Sequence, residues 1–240
     1  MKPQERKRSS RTRERLLEVA ARVFASEGYR GATIARISQL AGANIAAVNY
    51  HFGSKSQLYR EAWRYTFSQS IKKHHPDGGV PETARPEERL KGKIKALISR
   101  LADRNNLEFQ ILQKELAEPT GLLKEVQRET LEPLKQSLEA VIRELLGVKA
   151  YPEEVQFCRL SIMSQCLGPL VRKSWESKGS KRCLAFREVE PKRLARYAEH
   201  VFTFSLGGLR EIKNQREQRR NHGVDGKGSS KGERKARGSG

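Results

Sequence analysis

Cysteine is scarce: Cys158, Cys166 and Cys183 are the three in 240 residues. They make no disulfide framework and have no metal-ligand spacing. Cys158 and Cys166 stand eight positions apart, which puts both on one helix face as packed thiols. No window approaches twenty unbroken apolar residues, so no membrane span is expected. The opening segment, MKPQERKRSSRTRER, lacks the apolar core of a signal peptide, and a reducing cytoplasm is the expected compartment. No segment alternates apolar and polar residues in the strand period, and neither a phosphate-binding glycine loop nor a paired catalytic motif occurs. An enzyme is therefore not expected, and no cofactor is implied. The histidines, His51, His74, His75, His200 and His222, show no metal-ligand spacing, so no metal site is assigned.

What the chain has in excess is positive charge. The formal balance is +20, with 32% charged and 36% hydrophobic residues, a composition that suits a helical protein binding polyanions in a salt-dependent way. Charge alone does not choose between DNA, RNA and an acidic membrane surface. Residues 2–15 hold seven Lys/Arg against two Glu, and residues 211–240 hold nine against four acids, so each end carries +5. Residues 1–11 and 214–240 lack hydrophobic periodicity and are expected to be disordered.

Residues 33–55, TIARISQLAGANIAAVNYHFGSK, organise the rest. Ile34, Ile37 and Leu40 recur every three positions, which predicts a short helix capped by Thr33 and ended by Gly42. Asn44 can cap a second helix over 45–50, with Ile45 and Val48 as its inward positions. Ser54 followed by Gln57 has the capping-box spacing and opens a third. Facing outward between them are the small Ala46 and Ala47, the hydrogen-bonding Asn49, Tyr50 and His51, and the cation Lys55. Small residues permit close approach to a major groove, and the polar ones reach base edges or phosphates, as in a helix-turn-helix. A helical hairpin with a polar face would show the same periodicity. Residues 12–26 supply the supporting helix through Leu16, Ala20, Val23 and Phe24.

Ala41-Gly42, then Tyr50-His51-Phe52 and Ser54-Lys55, closely resemble the DNA-binding signature of the TetR family of bacterial transcriptional regulators. Leu16-Leu17, Ala20, Phe24, Gly28-Tyr29 and Ala32-Thr33 resemble that family's first helix and the turn after it. Where many members carry an aromatic pair before the His-Phe, Asn49 precedes Tyr50 here, and the segment from Asn44 to Gly53 is similar to a CerR-like subset. The resemblance implies that Thr33, Tyr50, His51 and Lys55 contact phosphates, while Asn44, Ala46, Ala47 and Asn49 face base edges. A packed aromatic with an exposed hydroxyl is an equal reading of Tyr50.

The implied fold class is all-α: an N-terminal three-helix helix-turn-helix domain followed by a larger helical ligand-binding and dimerisation domain. The chain divides into a basic arm (1–11), the DNA-binding domain (12–56), a connector helix (57–75), the regulatory domain (76–213) and a basic tail (214–240). Connector residues Leu58, Ala62, Trp63 and Phe67 should face inward. Phe109, Leu112 and Leu116 recur at helical spacing, and a long helix over 122–146 carries Leu131, Leu134, Leu138, Val141, Ile142 and Leu145 inward, kinked at Pro133. Leu116-Ala-Glu-Pro-Thr and residues 161–167 also look like the CerR-like regulatory domain. Phe157, Leu160, Ser161, Ser164, Leu167, Gly168 and Val171 mix large and small residues on one face. In the family, the last two helices pair with a second subunit, which this face fits. Polar or aromatic positions beside the apolar stripes, Gln110, Gln113, Glu115, Gln165 and Trp175, are candidates to line an effector pocket. The expected partners are thus double-stranded DNA, a second copy of the chain and a small molecule of unknown identity, with no membrane. Two other classes fit the composition: a sequence-tolerant nucleoid or RNA-binding protein driven by the tails, and an adaptor whose helical domain meets a protein.

Overall fold

The computed structural model describes residues 3–171 and 190–225, all helix and connecting turns. Helix α1 (Pro3–Gly31) starts well before residue 12, where the supporting helix was expected, because nothing between Pro3 and Leu16 breaks a helix and Pro3 has the fixed φ suited to a first turn. The arm expected to be disordered is therefore helical from Pro3. Gly28, at φ 73° and ψ 178°, kinks α1 near its end.

Thr33 and Gly42 bound α2 (Ile34–Ala41): the Thr33 hydroxyl oxygen accepts from the Arg36 N–H at 3.1 Å, and Gly42 closes the helix in the left-handed conformation. Asn44 caps α3 (Ile45–Phe52) by accepting from the Ala46 N–H at 3.0 Å. Ser54 caps α4 (Lys55–Lys73) through the Gln57 N–H at 3.1 Å. The return half of the capping box is absent, since the Ser54 N–H donates to the Phe52 carbonyl at 2.8 Å and the Gln57 side-chain oxygen accepts from Arg60.

Leu16, Ala20 and Phe24 of α1, Ile37 of α2, Val48 of α3 and Leu58 of α4 are buried together. Two inward expectations fail here. Leu40 is 53% and Ile45 47% exposed, and their places in the core go to Ala41 and Phe52. Such short helices bury only the arc facing α1, and that arc is set by the packing partner.

The second layer comprises α5 (Pro86–Ala102), α6 (Leu107–Ala117), α7 (Lys124–Leu146), α8 (Pro152–Val171) and α9 (Pro191–Asp225). Leu90, Ile94, Ile98 and Leu101 of α5 meet Val141 and Ile142 of α7, Val155 and Ile162 of α8, and Val201 and Leu209 of α9. Cys158 and Cys166 are buried free thiols in this core, and burial pushes Cys166 up to about 12. The loop after α4 presses on α5 where a side chain has no room: a Cβ on Gly92 would meet the Asp77 carbonyl oxygen at 2.4 Å. Pro133 lies inside α7, which runs on as one helix past it. The helix α9 extends to Asp225, so the tail expected to be disordered from residue 214 begins as helix; residues 226–240 lie outside the described residues. No described helix is long and apolar enough to cross a membrane.

The two cores do not divide where the domain boundary was expected. Ile111 of α6, Leu123, and Val126 of α7 belong to the same core as Phe24 and Trp63, so α6 and the start of α7 pack against the N-terminal helices. Leu116, expected inward, is 72% exposed because α6 turns Ile111 and Glu108 into the protein instead. Helix α4 is fastened to this region by four bonds: Tyr59 Oη to Glu115 Oε2 (3.1 Å), Arg60 Nε to the Leu122 carbonyl (3.1 Å), Trp63 Nε1 to Thr130 Oγ1 (3.2 Å), and Arg64 Nη2 to Glu129 Oε2 (2.9 Å).

Candidate nucleic-acid interface and internal cavity

On α3 the side chains that Val48 and Phe52 do not carry inward form one exposed arc: Ile45, Ala46, Asn49 and Tyr50, at i, i+1, i+4 and i+5. The Asn49 amide lies in the middle of this arc and is free of side-chain bonds, so its donor and acceptor can both be offered to a partner. Tyr50 is 76% exposed, which removes the packed-aromatic alternative. Ala47 departs from expectation: it is half-buried and packed against the N-terminal core, so it supports the helix from below. Asn44 has its side-chain oxygen committed to the Ala46 N–H, leaving the NH₂ group as its outward donor. Ile45 was missed, although counting the arc from Asn49 backward by four places it outside.

Thr33, His51 and Lys55 flank the arc. Thr33 is exposed and keeps its hydroxyl proton for a partner, because its oxygen is the group used in capping. His51 stacks edge-on to Tyr50 with ring centroids 5.0 Å apart. Partial burial, and secondarily the Arg13 charge, hold His51 below its ordinary value. Arg13 itself is fixed over the Phe52 ring at 5.3 Å and paired to Glu61 at 3.0 Å. Lys55 places its Nζ 4.5 Å from the Tyr29 ring centroid, which orients the cation beside the arc.

A cavity of about 440 Å³ lies between the connector and the second layer. Trp63 of α4, Leu97 of α5, Phe109 and Leu112 of α6, Leu131 of α7 and Met163 of α8 give it apolar walls. The size and lining are those of a small-molecule site. The four described pocket candidates lie elsewhere. Gln110 donates to the Arg104 carbonyl at 3.0 Å, and Gln113 is exposed. Glu115 is consumed by Tyr59, Thr120 and Gly121, and Gln165 bonds the Ser161 carbonyl at 3.3 Å. Trp175 lies outside the described residues. A polar side chain next to an apolar stripe finds a local partner first. The cavity is built instead from residues at the margins of the stripes, such as Phe109, Leu112 and Leu131, all expected to be core.

At the floor of the cavity is a buried ion pair. Arg100 (5% exposed) donates to both Glu108 oxygens, with Nε 3.2 Å from Oε2, and the same Nε lies 2.9 Å from Ser70 Oγ on α4. Asn106 donates to Ser70 Oγ at 2.9 Å and to the Arg100 carbonyl at 3.1 Å. Burial raises Glu108 above the usual carboxylate value even against the opposing pull of Arg100. The cluster joins the connector to α5 and α6 beside the space a ligand would fill.

Residues 86–209 match the family model described as the C-terminal domain of the HTH-type transcriptional dual regulator CecR, which is more than half of the chain. Residues 16–62 match the model for bacterial regulatory proteins of the tetR family. The chain is 37% identical over 79 residues to the HTH-type transcriptional repressor NicS of Pseudomonas putida, a stretch that is 32% of this chain and 37% of that protein. The similarity to this curated relative thus spans little over a third of its length. The fold is that of the fatty acid degradation regulator FadR from Bacillus halodurans (TM-score 0.59, 19% identity, 83% of this chain and 96% of that one). It is also that of AibR, solved with isovaleryl coenzyme A and operator DNA (TM-score 0.57, 18% identity, 79% and 96%).

Proposed function

The chain belongs to the TetR family of bacterial regulatory proteins, and we propose that it is a homodimeric, sequence-specific repressor released from a palindromic operator by a small molecule. The observation that carries this is the exposed arc of α3, with Asn49 at its centre and no partner for its amide among the described residues. Such a surface enters a major groove, where an asparagine pairs bidentately with adenine and Ile45 can meet a thymine methyl. Thr33, Tyr50, His51 and Lys55 hold the flanking phosphates, and the +20 charge supplies the long-range attraction. The protein acts in the bacterial cytoplasm on the nucleoid.

A second copy is supported by the outer faces of α8 and α9. Phe157 and Leu160 of α8 and Phe204 of α9 are more than half exposed. Gly168, Gly207 and Gly208 have open space where a Cβ would stand, so no close approach among the described residues explains them. Glycine inside a helix costs about 1 kcal/mol relative to alanine, and a partner helix at short range is what would offset that.

Release is supported by where the cavity lies. Trp63 and His74, at its wall, stand on or at the end of the connector, so a ligand there touches the element that carries α3. By linkage the ligand binds the DNA-free form more tightly, and DNA weakens the ligand by the same factor. AibR, seen with both an acyl-thioester ligand and operator DNA, is a precedent in the same fold. Selecting DNA fragments from a random pool with the full-length protein tests the reading. A palindrome with half-sites about 34 Å apart is expected; recovery of fragments with no shared sequence would leave the tail-driven, sequence-tolerant alternative.

A further inference from the structure

The internal cavity is lined by an amide with an unmade hydrogen-bond donor and by a cation, neither used by any other described residue, and from these we infer that its ligand is an apolar molecule ending in an anionic oxygen group, a carboxylate in the simplest case. The inference rests on the effector reading above and names the class of effector. The donor is Gln127 of α7, whose side-chain nitrogen is buried and has no hydrogen-bond partner. A buried amide N–H left unmade destabilises the protein until an acceptor arrives. The cation is Arg128, the next residue, exposed at the mouth and without an ion-pair or hydrogen-bond partner among the described residues.

The other charges around the cavity are already matched. Arg100 is paired with Glu108, Lys93 with Asp77, Lys135 with Glu132 at 3.1 Å, and Arg159 with Glu139 at 2.8 Å. Both carboxylates on the wall, Glu108 and Glu132, are thus occupied, so nothing there is left to receive a cationic ligand. A purely apolar ligand would fill the space and leave the Gln127 N–H unmade. An anionic oxygen at the α7 end faces Arg128 and accepts from Gln127 once the amide, whose nitrogen is closed off in the unliganded chain, turns toward the cavity, while the apolar body lies against Trp63, Phe109, Leu112, Leu131 and Met163. The two free groups are both donors, and one ligand end of this chemistry satisfies both.

The test is titration calorimetry of the full-length protein with three probes of equal chain length below their micellar concentrations: decanoate, 1-decanol and decyltrimethylammonium. Decanoate is expected to bind most tightly. Arg128→Ala should weaken it about fivefold, the size of a solvent-screened charge contact, and leave decanol within about twofold. Gln127→Leu should weaken decanoate about tenfold and raise the melting temperature of the unliganded protein, since it deletes an unmade donor. A side chain with a merely structural role would lower that temperature. The inference is overturned if decyltrimethylammonium binds as tightly as decanoate, if decanoate does not bind, or if both variants bind decanoate like the parent. Decanoate binding without loss of operator affinity leaves the ligand class standing and removes effector release. A chain that selects a palindrome but ignores decanoate keeps the repressor and loses this ligand.

Discussion

Asn44 and Asn49 sit five residues apart, at the cap and on the exposed arc of α3, and use the same kind of amide differently. The Asn44 oxygen closes the first turn of α3 by accepting from the Ala46 N–H, whereas the Asn49 side chain is exposed and makes no hydrogen bond among the described residues. Replacing Asn44 by alanine should therefore lower unfolding free energy by about 1 kcal/mol, read from urea denaturation. Asn44→Asp should restore the cap and still bind operator poorly, since it sets a negative charge beside phosphates. Equal stability of Asn44→Ala and the parent would remove the cap from the account. Asn49→Ala should leave stability unchanged and lose roughly 1–3 kcal/mol of discrimination at one base position, measured by competition with single-base operator variants. Equal losses on all sequences would make Asn49 a phosphate contact instead. The caps at Thr33, Asn44 and Ser54 were legible because capping is decided within three residues of chain. The inward face of α3 was not: Ile45 and Val48 share a spacing that suits either arc, and α1 decides which is buried.

At the scale of the elements, connector α4 is held by bonds that no sequence spacing announces, because its partners lie 30 or more residues away. Ser70 on α4 receives Arg100 and Asn106, and Arg100 is fixed in turn by Glu108 between the rings of Phe67 and Phe109, at 5.1 and 5.6 Å. Removing one member of a buried ion pair strands the other, so Arg100→Met should cost about 3–5 kcal/mol in a urea melt. The double variant Arg100→Met/Glu108→Leu should recover most of that loss; a double variant as unstable as the single would show that the pair's geometry, and not its charge, holds α4. The end of the connector carries a second, pH-dependent tie. Burial pushes Asp103 upward, but hydrogen bonds from Lys73, His74 and the Asn105 N–H outweigh it and bring the carboxyl from 3.8 to about 2. A carboxyl depressed in the folded state stabilises above its unfolded value, and that contribution fades as pH falls from near 4 through about 2. Asp103→Asn should accordingly remove about 1–2 kcal/mol at neutral pH, allowing for screening, and flatten the acid limb of the stability curve. An acid limb identical to the parent's would assign the loss to packing. Helix existence and order were legible from apolar periodicity. That α6 joins the N-terminal core was not, because Ile111 reads as one stripe residue among several until its neighbour Phe24 is known.

For the whole molecule the deciding quantity is how many readers meet the DNA at once. A single chain offers one α3 arc, whereas two arcs on one face of a duplex require partners held about one helical turn apart. In the proposed dimer the outer face of α8 and α9 would meet this need, with Phe157, Leu160 and Phe204 uncovered and Gly207-Gly208 open among the described residues. Phe204 is 66% exposed in the single chain, so Phe204→Glu should fold with unchanged helix content by circular dichroism while placing two like charges in the paired bundle. Light scattering should then report a monomer where the parent is a dimer. The same variant separates dimer reading from tail-driven attraction through salt. If a dimer neutralises about ten phosphates, log affinity for the palindrome falls against log salt with a slope of about −9, and one reader alone gives about half that. The tails are present in both proteins, so a nucleic-acid binder driven by residues 1–11 and 214–240 would show the same slope before and after Phe204→Glu. A halved slope together with monomeric mass ties sequence reading to the pairing of α8 and α9, because the substitution lies on the opposite domain from α3 and alters no residue of the DNA face.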